Sequence, residues 1–201
     1  TRTASTATTV RVTPYTCAAY AQPPPLNRRG DIDFTAIVTA LAEDERRTRV
    51  VVDAAARAVA DGRDVLVLSH RRAHCLRVCE LLRAGGVDAA TYLGGDKTVP
   101  TSKVIVATYA LTSEGFDCPR LSALVLATPA SDVEQACGRV MRGQVSAGAL
   151  IVDIVDSWGP CFAQAAKRRG LYRRSGFTVD HRHDRADDSR QQGIADYAFI
   201  E

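Results

Sequence analysis

The sequence predicts an α/β fold in which helices cover both faces of a mostly parallel central sheet. Short apolar runs, such as those at residues 65–68 and 104–106, alternate with segments whose apolar residues recur at helical spacing. The runs are almost continuously apolar, which is typical of parallel strands buried on both faces. Alternation of strands and helices favours one layered domain. A chain of 201 residues is long enough for such a domain with extensions.

Before residue 64 the sequence predicts a strand, a linker and two helices. Val10, Val12 and Tyr15 alternate with polar residues, which predicts an edge strand. Three consecutive prolines and an Asn-Arg-Arg-Gly turn within residues 22–30 predict a loop, so residues 1–30 are assigned to an N-terminal extension or linker. Helices are predicted from an aspartate cap at residue 31 or 33 to residue 41, and again over residues 44–61.

From residue 64 a strand–helix unit repeats, and residues 31–178 are assigned to the α/β domain. Strands are predicted at residues 65–68, 89–93, 103–107, 123–127 and 150–155, and helices at residues 72–84, 132–141 and 161–169. Residues 179–201 are expected to form a polar tail, since much of this stretch is charged and lacks a core pattern.

The charge of the chain is mild overall and clustered locally. A formal net charge of +3 does not by itself indicate nucleic-acid binding. Five of the eight residues 167–174 are nevertheless Lys or Arg. Cations at the end of a helix interact favourably with its dipole, which accounts for some of them, and contact with a phosphate backbone is the alternative.

Cysteine and histidine spacing predicts neither disulfides nor a metal site. The six cysteines contain no Cys-x-x-Cys pair, so they are expected to be reduced, mostly buried, and located in an intracellular compartment. His181 and His183 are expected to be solvated rather than to bind metal. No run of about 20 apolar residues is present, so no transmembrane helix and no membrane partner are expected. The N-terminus shows no signal-peptide pattern.

The segment EQACGRVMRG, residues 134–143, carries the most informative pattern. Gln135, Arg139 and Arg142 lie at offsets 0, +4 and +7, which fall on one face of a helix. Such a face is most often a solvated basic surface. The alternative is a phosphate site, because the planar guanidinium fork suits phosphate oxygens and an arginine finger acts on a γ-phosphate in this way.

Two further segments favour the phosphate site. KVIVATYALTSEGFDCP, residues 103–119, reads as a buried strand followed by a polar loop, which is the position at which open α/β sheets bind ligands. RDVLVLSHRRAHCLRVCELLRAGG, residues 63–86, reads as a strand that turns into a helix ended by two glycines.

In chain order these segments resemble motifs IV, V and VI of superfamily 2 helicases. VLVLSHRRAH is similar to motif IV, VIVATYALTSEGFD to motif V, and QACGRVMR to the Gln-x-x-Gly-Arg-x-x-Arg pattern of motif VI. With IVDIVDSWGPCFAQAAKRRGLYRRSGF, the pattern most resembles DNA helicases of large double-stranded DNA viruses, including the poxvirus-type transcript-release helicase. The resemblance implies a three-layer RecA-like domain, the second of a helicase core, and an intracellular location; for a viral protein, that means the virion or the host-cell site of replication or transcription.

The resemblance also implies a nucleotide site. Arg142 aligns with the arginine finger of motif VI, Arg139 with the earlier arginine that faces the phosphates, and Gln135 with the residue that positions water or couples the two domains. Asp117 aligns with the motif V aspartate that bonds the ribose, and Gly115 lets the loop approach closely. The cofactors implied are ATP and Mg²⁺.

Contacts with nucleic acid are implied at other positions. Thr108 aligns with a backbone-contacting residue of motif V, while Ser69 and Arg71 end motif IV, where backbone phosphates are held. Arg168 and Arg169, within the basic cluster, are added as candidate phosphate contacts. The partner implied is DNA, as a single strand or fork, with an RNA–DNA hybrid as an alternative.

The sequence lacks two motifs that a complete helicase core needs. It contains no Gly-x-x-x-x-Gly-Lys-Ser/Thr and no Asp-Glu-x-His/Asp box. The lysine that grips the phosphates and the carboxylate that holds Mg²⁺ are therefore expected on a first RecA-like domain, and the isolated chain is expected to be inactive. The alternatives are a non-catalytic binding or scaffolding module of helicase-like fold and an unrelated Rossmann-type enzyme, although no Gly-x-Gly-x-x-Gly opens the first βα unit.

Overall fold

The computed structural model describes residues 7–113, 116–141 and 148–180, which form an α/β domain. Its strands are β1 (Thr9–Tyr15), β2 (Asp64–Ser69), β3 (Ala89–Tyr92), β4 (Val104–Thr108), β5 (Leu121–Leu126), β6 (Leu150–Asp156) and β7 (Thr178–Asp180). Its α-helices are α1 (Phe34–Glu43), α2 (Glu45–Ala60), α3 (Arg72–Ala84), α4 (Tyr109–Ser113), α5 (Glu134–Met141) and α6 (Gly159–Arg174), and a short 3-10 helix spans Ala18–Ala21.

The strands of the described residues form one parallel sheet, which confirms the predicted fold class. The strand order is β3-β4-β2-β5-β6-β1-β7, and every pairing in it is parallel. Side chains of β2, β4 and β5 alternate between two buried clusters. Helices α2 and α3 contribute to one cluster and helices α5 and α6 to the other. Apolar side chains are thus removed from water on both faces of the sheet.

Strand β1 lies inside the sheet, so the prediction of an edge strand is wrong. Val10 is in register with Ile151 of β6 on one side and with Val179 of β7 on the other. The short strand β7 follows α6 and was not predicted. Its residues carry no alternating pattern long enough to be recognised in sequence, although it occupies the outer side of β1.

Local signals located most of the helices correctly. Asp33 caps α1 by accepting a hydrogen bond from the amide of Ala36 at 2.9 Å, and Asp44 caps α2 by accepting from the amides of Arg46 and Arg47. Helix α3 has its predicted bounds. Helix α6 is longer than predicted, because it begins at Gly159 and continues to Arg174.

Several expectations fall outside the described residues. These include the tail from residue 181 onward, with His181 and His183, and the expected N-terminal segment before residue 7. Among the helices of the described part, none combines the length and apolar character needed to cross a membrane.

We expect Leu124→Ala to destabilise the domain by about 2–5 kcal/mol, because Leu124 is fully buried in the middle of β5. Chemical denaturation would measure the change. The matched control is Leu76→Ala on α3, whose side chain is 52% exposed and whose replacement is expected to change stability by less than about 0.5 kcal/mol. Equal losses for the two variants would contradict the described core.

Candidate functional site at the carboxyl edge of the sheet

The residues predicted to act converge on one edge of the sheet. Ser69 ends β2 and Thr108 ends β4, and the two are register partners in the parallel pair. Helix α5, which carries Gln135 and Arg139, follows β5 at the same edge. Carboxyl ends of parallel strands meet at a single edge of the sheet. Segments far apart in sequence are therefore brought into one neighbourhood.

One face of helix α5 is buried in the core, and the opposite face is at least partly exposed to solvent. Ala136, Cys137 and Val140 are buried in the core, while Gln135 is exposed and Arg139 is half-buried. The amide of Cys137 donates to the carbonyl of Val133 at 2.9 Å, which fixes the start of the helix. Arg142, the predicted finger, lies outside the described residues.

The loop after β4 carries the predicted nucleotide contact. Thr108 is half-buried at the strand end, and the chain continues into α4. Asp117 is exposed beyond α4, between the buried residues Phe116 and Cys118. Gly115 lies outside the described residues. The buried neighbours of Asp117 therefore hold its carboxylate at the surface.

Three loops of this edge are joined by hydrogen bonds around Thr128. Its hydroxyl accepts from the backbone amide of His70 at 2.9 Å and lies 2.9 Å from His70 Nδ1. The Tyr109 hydroxyl donates to the Thr128 carbonyl at 2.8 Å, and the rings of His70 and Tyr109 are 4.4 Å apart. The segments after β2, β4 and β5 are therefore tied together.

The structure contradicts a direct nucleic-acid contact by Ser69. Its side chain is buried, and its hydroxyl lies 3.0 Å from His74 Nδ1. The same oxygen accepts from the amide of Arg71 at 3.1 Å. Ser69 thus shapes the turn into α3 rather than reaching the surface, as a serine at a turn commonly does.

Arg71 is partly held by helix α1. Its Nε donates to Thr39 Oγ1 at 3.1 Å and its Nη2 to the Thr35 carbonyl at 2.8 Å. These contacts orient the guanidinium at the end of β2. The prediction that Arg71 contacts nucleic acid remains a proposal.

The structure also contradicts the prediction for Arg168, which is 1% exposed. Its guanidinium donates to both carboxylate oxygens of Asp153, at 2.9 and 2.8 Å, and to the Ala130 carbonyl at 2.6 Å. Burial disfavours its charge, but the neighbouring Asp153 carboxylate outweighs this and keeps the pKa of Arg168 above its usual range. Arg169, its neighbour on α6, is half-buried.

The prediction for Arg168 is wrong because the basic residues of α6 do not all lie on one surface. Helical spacing turns Ala165, Arg168 and Tyr172 toward the sheet, while Arg173 and Arg174 are exposed. The Asp-x-x-Asp pattern of β6 was the available signal, because a carboxylate within a buried strand requires a charged partner.

A second buried pair, which sequence reasoning missed, joins Arg47 to Asp156. Arg47 Nε and Nη2 donate to the two carboxylate oxygens at 2.6 and 2.9 Å, and Nη1 donates to the Ala127 carbonyl. Burial opposes the charge of Arg47, but Asp156 raises its pKa above the usual value. Arg47 lies on the buried stripe of α2 with Val51 and Ala55, and that position was a signal in the sequence.

Most of the cysteine thiols are core residues. All six cysteines are free, and all but the half-buried Cys17 are buried. Burial raises the pKa of Cys75, Cys137 and Cys161 to about 12, so these thiols are protonated. Across the residues that the structure describes, no group of three or more His, Cys, Asp or Glu side chains could hold a metal ion.

No protein-family model matches the chain, but a curated viral protein does. A protein of Acanthamoeba polyphaga mimivirus, assigned as an ATP-dependent RNA helicase, is 28% identical over 145 residues. The match covers 68% of this chain and 28% of the mimivirus protein. The chain therefore spans little more than a quarter of the length of that relative.

Solved structures share the fold at low sequence identity. T4 UvsW matches with a TM-score of 0.69 and 14% identity, covering 87% of this chain and 41% of that chain. The RNA-helicase Prp28 from Chaetomium thermophilum matches with a TM-score of 0.53 and 16% identity, covering 86% of this chain and 40% of that chain. The C-terminal domain of the DEAD-box protein Dbp5 matches with a TM-score of 0.52 and 14% identity, covering 66% and 82%, respectively.

The fold is a RecA-like α/β fold, shared with these solved helicase structures. One of these structures, the Dbp5 match, is itself a C-terminal domain. The mimivirus relative supports the predicted resemblance to helicases of large DNA viruses.

We expect stability to fall below pH 6.5 because of His74. Burial, and to a lesser extent Arg47, lower the pKa of His74 to about 4. An unfolded histidine titrates near 6.5, so the unfolded chain binds the proton first. The stability that depends on neutral His74 is present above about pH 6.5 and is lost as the pH falls toward 4. The loss is roughly 3 kcal/mol in the free energy of unfolding.

The comparison variant is His74→Gln, which keeps a donor and an acceptor near Ser69 and Thr48 but does not titrate. Denaturation at pH 7.5, 6, 5 and 4 should show the wild type losing more stability than the variant. Parallel pH profiles would contradict a depressed pKa at His74.

Proposed function

We propose that the chain is the second motor domain of an ATP-dependent nucleic-acid helicase or translocase. The observation that carries the proposal is the arrangement at the carboxyl edge. Helix α5, with Gln135 and Arg139, follows β5 at this edge. Strand β4 ends at Thr108 at the same edge, separated from β5 by β2. Similarity to a viral protein assigned as an ATP-dependent helicase supports the same function.

In this proposal the chain supplies one side of a nucleotide site. A half-buried guanidinium at Arg139 and an exposed carboxylate at Asp117 have the chemistry to bind phosphate oxygens and ribose hydroxyls, respectively. Arg142 acts as the finger on the γ-phosphate, Gln135 orients water or couples the domains, and Gly115 lets the loop approach the nucleotide. Bound ATP, with Mg²⁺, supplies the phosphoryl group whose transfer to water drives the motor.

A first RecA-like domain is the partner that completes this site. It would contribute the phosphate-gripping lysine and the carboxylate for Mg²⁺, since neither motif occurs in these 201 residues. Closure of the two domains over ATP, followed by reopening after hydrolysis, would move the protein along a strand.

The proposed nucleic-acid substrate is DNA, which the domain binds through the phosphate backbone. Arg71 at the end of β2, Thr108 at the end of β4 and half-buried Arg169 on α6 are the candidate contacts. Contacts to phosphate carry no base identity, so this grip tolerates any sequence. The RNA assignment of the mimivirus relative makes RNA the substrate to test against DNA.

We expect Arg142→Ala in the full-length protein to lower DNA-stimulated ATP turnover by roughly 10³-fold or more. The reason is that its guanidinium stabilises charge on the γ-phosphate in the transition state. Arg139→Ala is expected to lower turnover in the same direction. Phosphate release with and without single-stranded DNA is the measurement.

The control variant is Arg49→Ala, an exposed cation on α2, which is expected to turn over like the wild type. A wild-type protein that binds DNA without turnover would overturn the motor proposal in favour of a non-catalytic binding module. The isolated 201-residue chain is expected to be inactive. Turnover by that chain, lost in Arg142→Ala, would overturn the half-site proposal.

We expect Arg71→Ala to weaken binding of single-stranded DNA regardless of sequence and to reduce the salt slope of log K by about 1. Both effects follow from loss of one phosphate contact. Fluorescence anisotropy at several salt concentrations measures them.

The control here is Arg77→Ala, since Arg77 is half-buried on α3 and ion-paired with Glu45 and Glu80. It should leave affinity and slope unchanged. Forked duplex, RNA–DNA hybrid and single-stranded RNA are compared in the same assay. Tighter binding of single-stranded RNA than of any DNA substrate would contradict the DNA proposal.

A further inference from the structure

We infer that Arg47 and Arg168 are positioning residues that hold residues 127–130, and through them helix α5, in the orientation that the ATPase reaction requires. The inference rests on the proposed function of α5. It assigns a role to the Asp-x-x-Asp pattern of β6 and to two arginines that do not touch the nucleotide.

Residues 127–130 form a buried loop between β5 and α5. Ala127 and Thr128 are fully buried, and Ala130 nearly so. Buried loops are uncommon, because backbone polar groups removed from water must find partners. The donors that satisfy this loop identify what holds it.

Three of its carbonyls accept from side chains of three different helices. Arg47 of α2 donates to Ala127, Tyr109 of α4 donates to Thr128 at 2.8 Å, and Arg168 of α6 donates to Ala130 at 2.6 Å. The two arginines approach from opposite faces of the sheet, since α2 and α6 contribute to opposite core clusters. The loop is clamped from both sides.

Strand β6 holds both arginine side chains through its two aspartates. Asp153 and Asp156 are three residues apart, so they point to opposite faces of the strand. Each carboxylate receives two nitrogens of one arginine. Each also accepts a tyrosine hydroxyl, from Tyr172 at 2.9 Å and from Tyr20 at 3.0 Å. The arginines are thereby fixed against the strand next to β5.

The geometry points to positioning rather than to stability alone. A buried ion pair is weak evidence for stability, because desolvation offsets its attraction, and the best-attested role of such pairs is to select one arrangement. Helix α5 begins at Glu134, four residues after the Ala130 carbonyl. A shift of the loop therefore moves Gln135 and Arg139, and a misplacement of about 1 Å can cost 10²-fold in rate.

The test uses Arg168→Lys in the full-length protein. Lysine keeps the positive charge beside Asp153, but one ammonium lacks the planar fork that reaches both carboxylate oxygens and a carbonyl. We expect kcat for ATP hydrolysis to fall about tenfold or more while KM for ATP changes less than about twofold. We also expect faster amide hydrogen exchange in residues 127–141, with unchanged exchange in β2 and β4.

Arg47→Lys is expected to give the same pattern from the opposite face. The matched control is Arg49→Lys, an exposed arginine on the same helix as Arg47, which should change neither readout. Tyr172→Phe removes the hydroxyl that donates to Asp153 and leaves the Arg168 guanidinium in place. It serves as the second variant if Arg168→Lys does not fold, with an expected loss of about threefold in kcat and a local rise in exchange.

Two results would overturn the inference. One is a folded Arg168→Lys protein whose exchange in residues 127–141 and kcat match the wild type. The other is a rise in exchange that is equal in β2, β4 and residues 127–141, since this would indicate a general structural role. A wild type without ATP turnover would instead overturn the proposed function, and the exchange readout would still decide whether the arginines hold the loop.

Discussion

Two arginine–aspartate pairs on strand β6 determine how the layers of this domain meet. Charges removed from water require close partners, and here each pair links a helix layer to the sheet. Arg47 joins α2 to Asp156, and Arg168 joins α6 to Asp153. Apolar packing alone tolerates sliding of one layer against another, whereas a bidentate guanidinium fixes direction as well as distance. The two pairs therefore fix how α2 and α6, on opposite faces, are placed against the sheet.

The carboxyl edge gains its order from the same interactions. Thr128 lies where contacts from His70 and Tyr109 meet, between the two carbonyls that the arginines bind. Segments that follow three different strands are thus joined through one buried loop. The proposed motor function would need such rigidity, because the candidate nucleotide-binding and nucleic-acid-binding residues follow different strands and must move as one body. Loops that carry function are commonly positioned by a rigid scaffold in this way.

Much of the fold was predictable because its signals are local. Asp33 and Asp44 cap helices within one turn of their own positions, and the buried strands are recognised by their own apolar residues. Strand β7 and the interior position of β1 were not predictable, since three residues of strand carry little pattern and pairing joins distant segments. At the site, the helix face of α5 was predicted from spacing, whereas helix α4 lies in the segment after β4 that was predicted to be a polar loop. The buried states of Ser69 and Arg168 were not predicted.

The sequence by itself determined the alternation of strands and helices, the helix caps, and the Gln135–Arg139 spacing, because each depends on neighbours within about one or two turns. Only the tertiary structure decided which charged side chains are exposed. Arg47 and Asp156 are 109 residues apart, and no local pattern states that they meet. Arg168 and Arg173 belong to one basic cluster, yet one is buried against a carboxylate and the other is exposed. Whether a side chain is buried depends on which distant segment packs against it, and this is decided only when the helices and the sheet pack together in the tertiary structure.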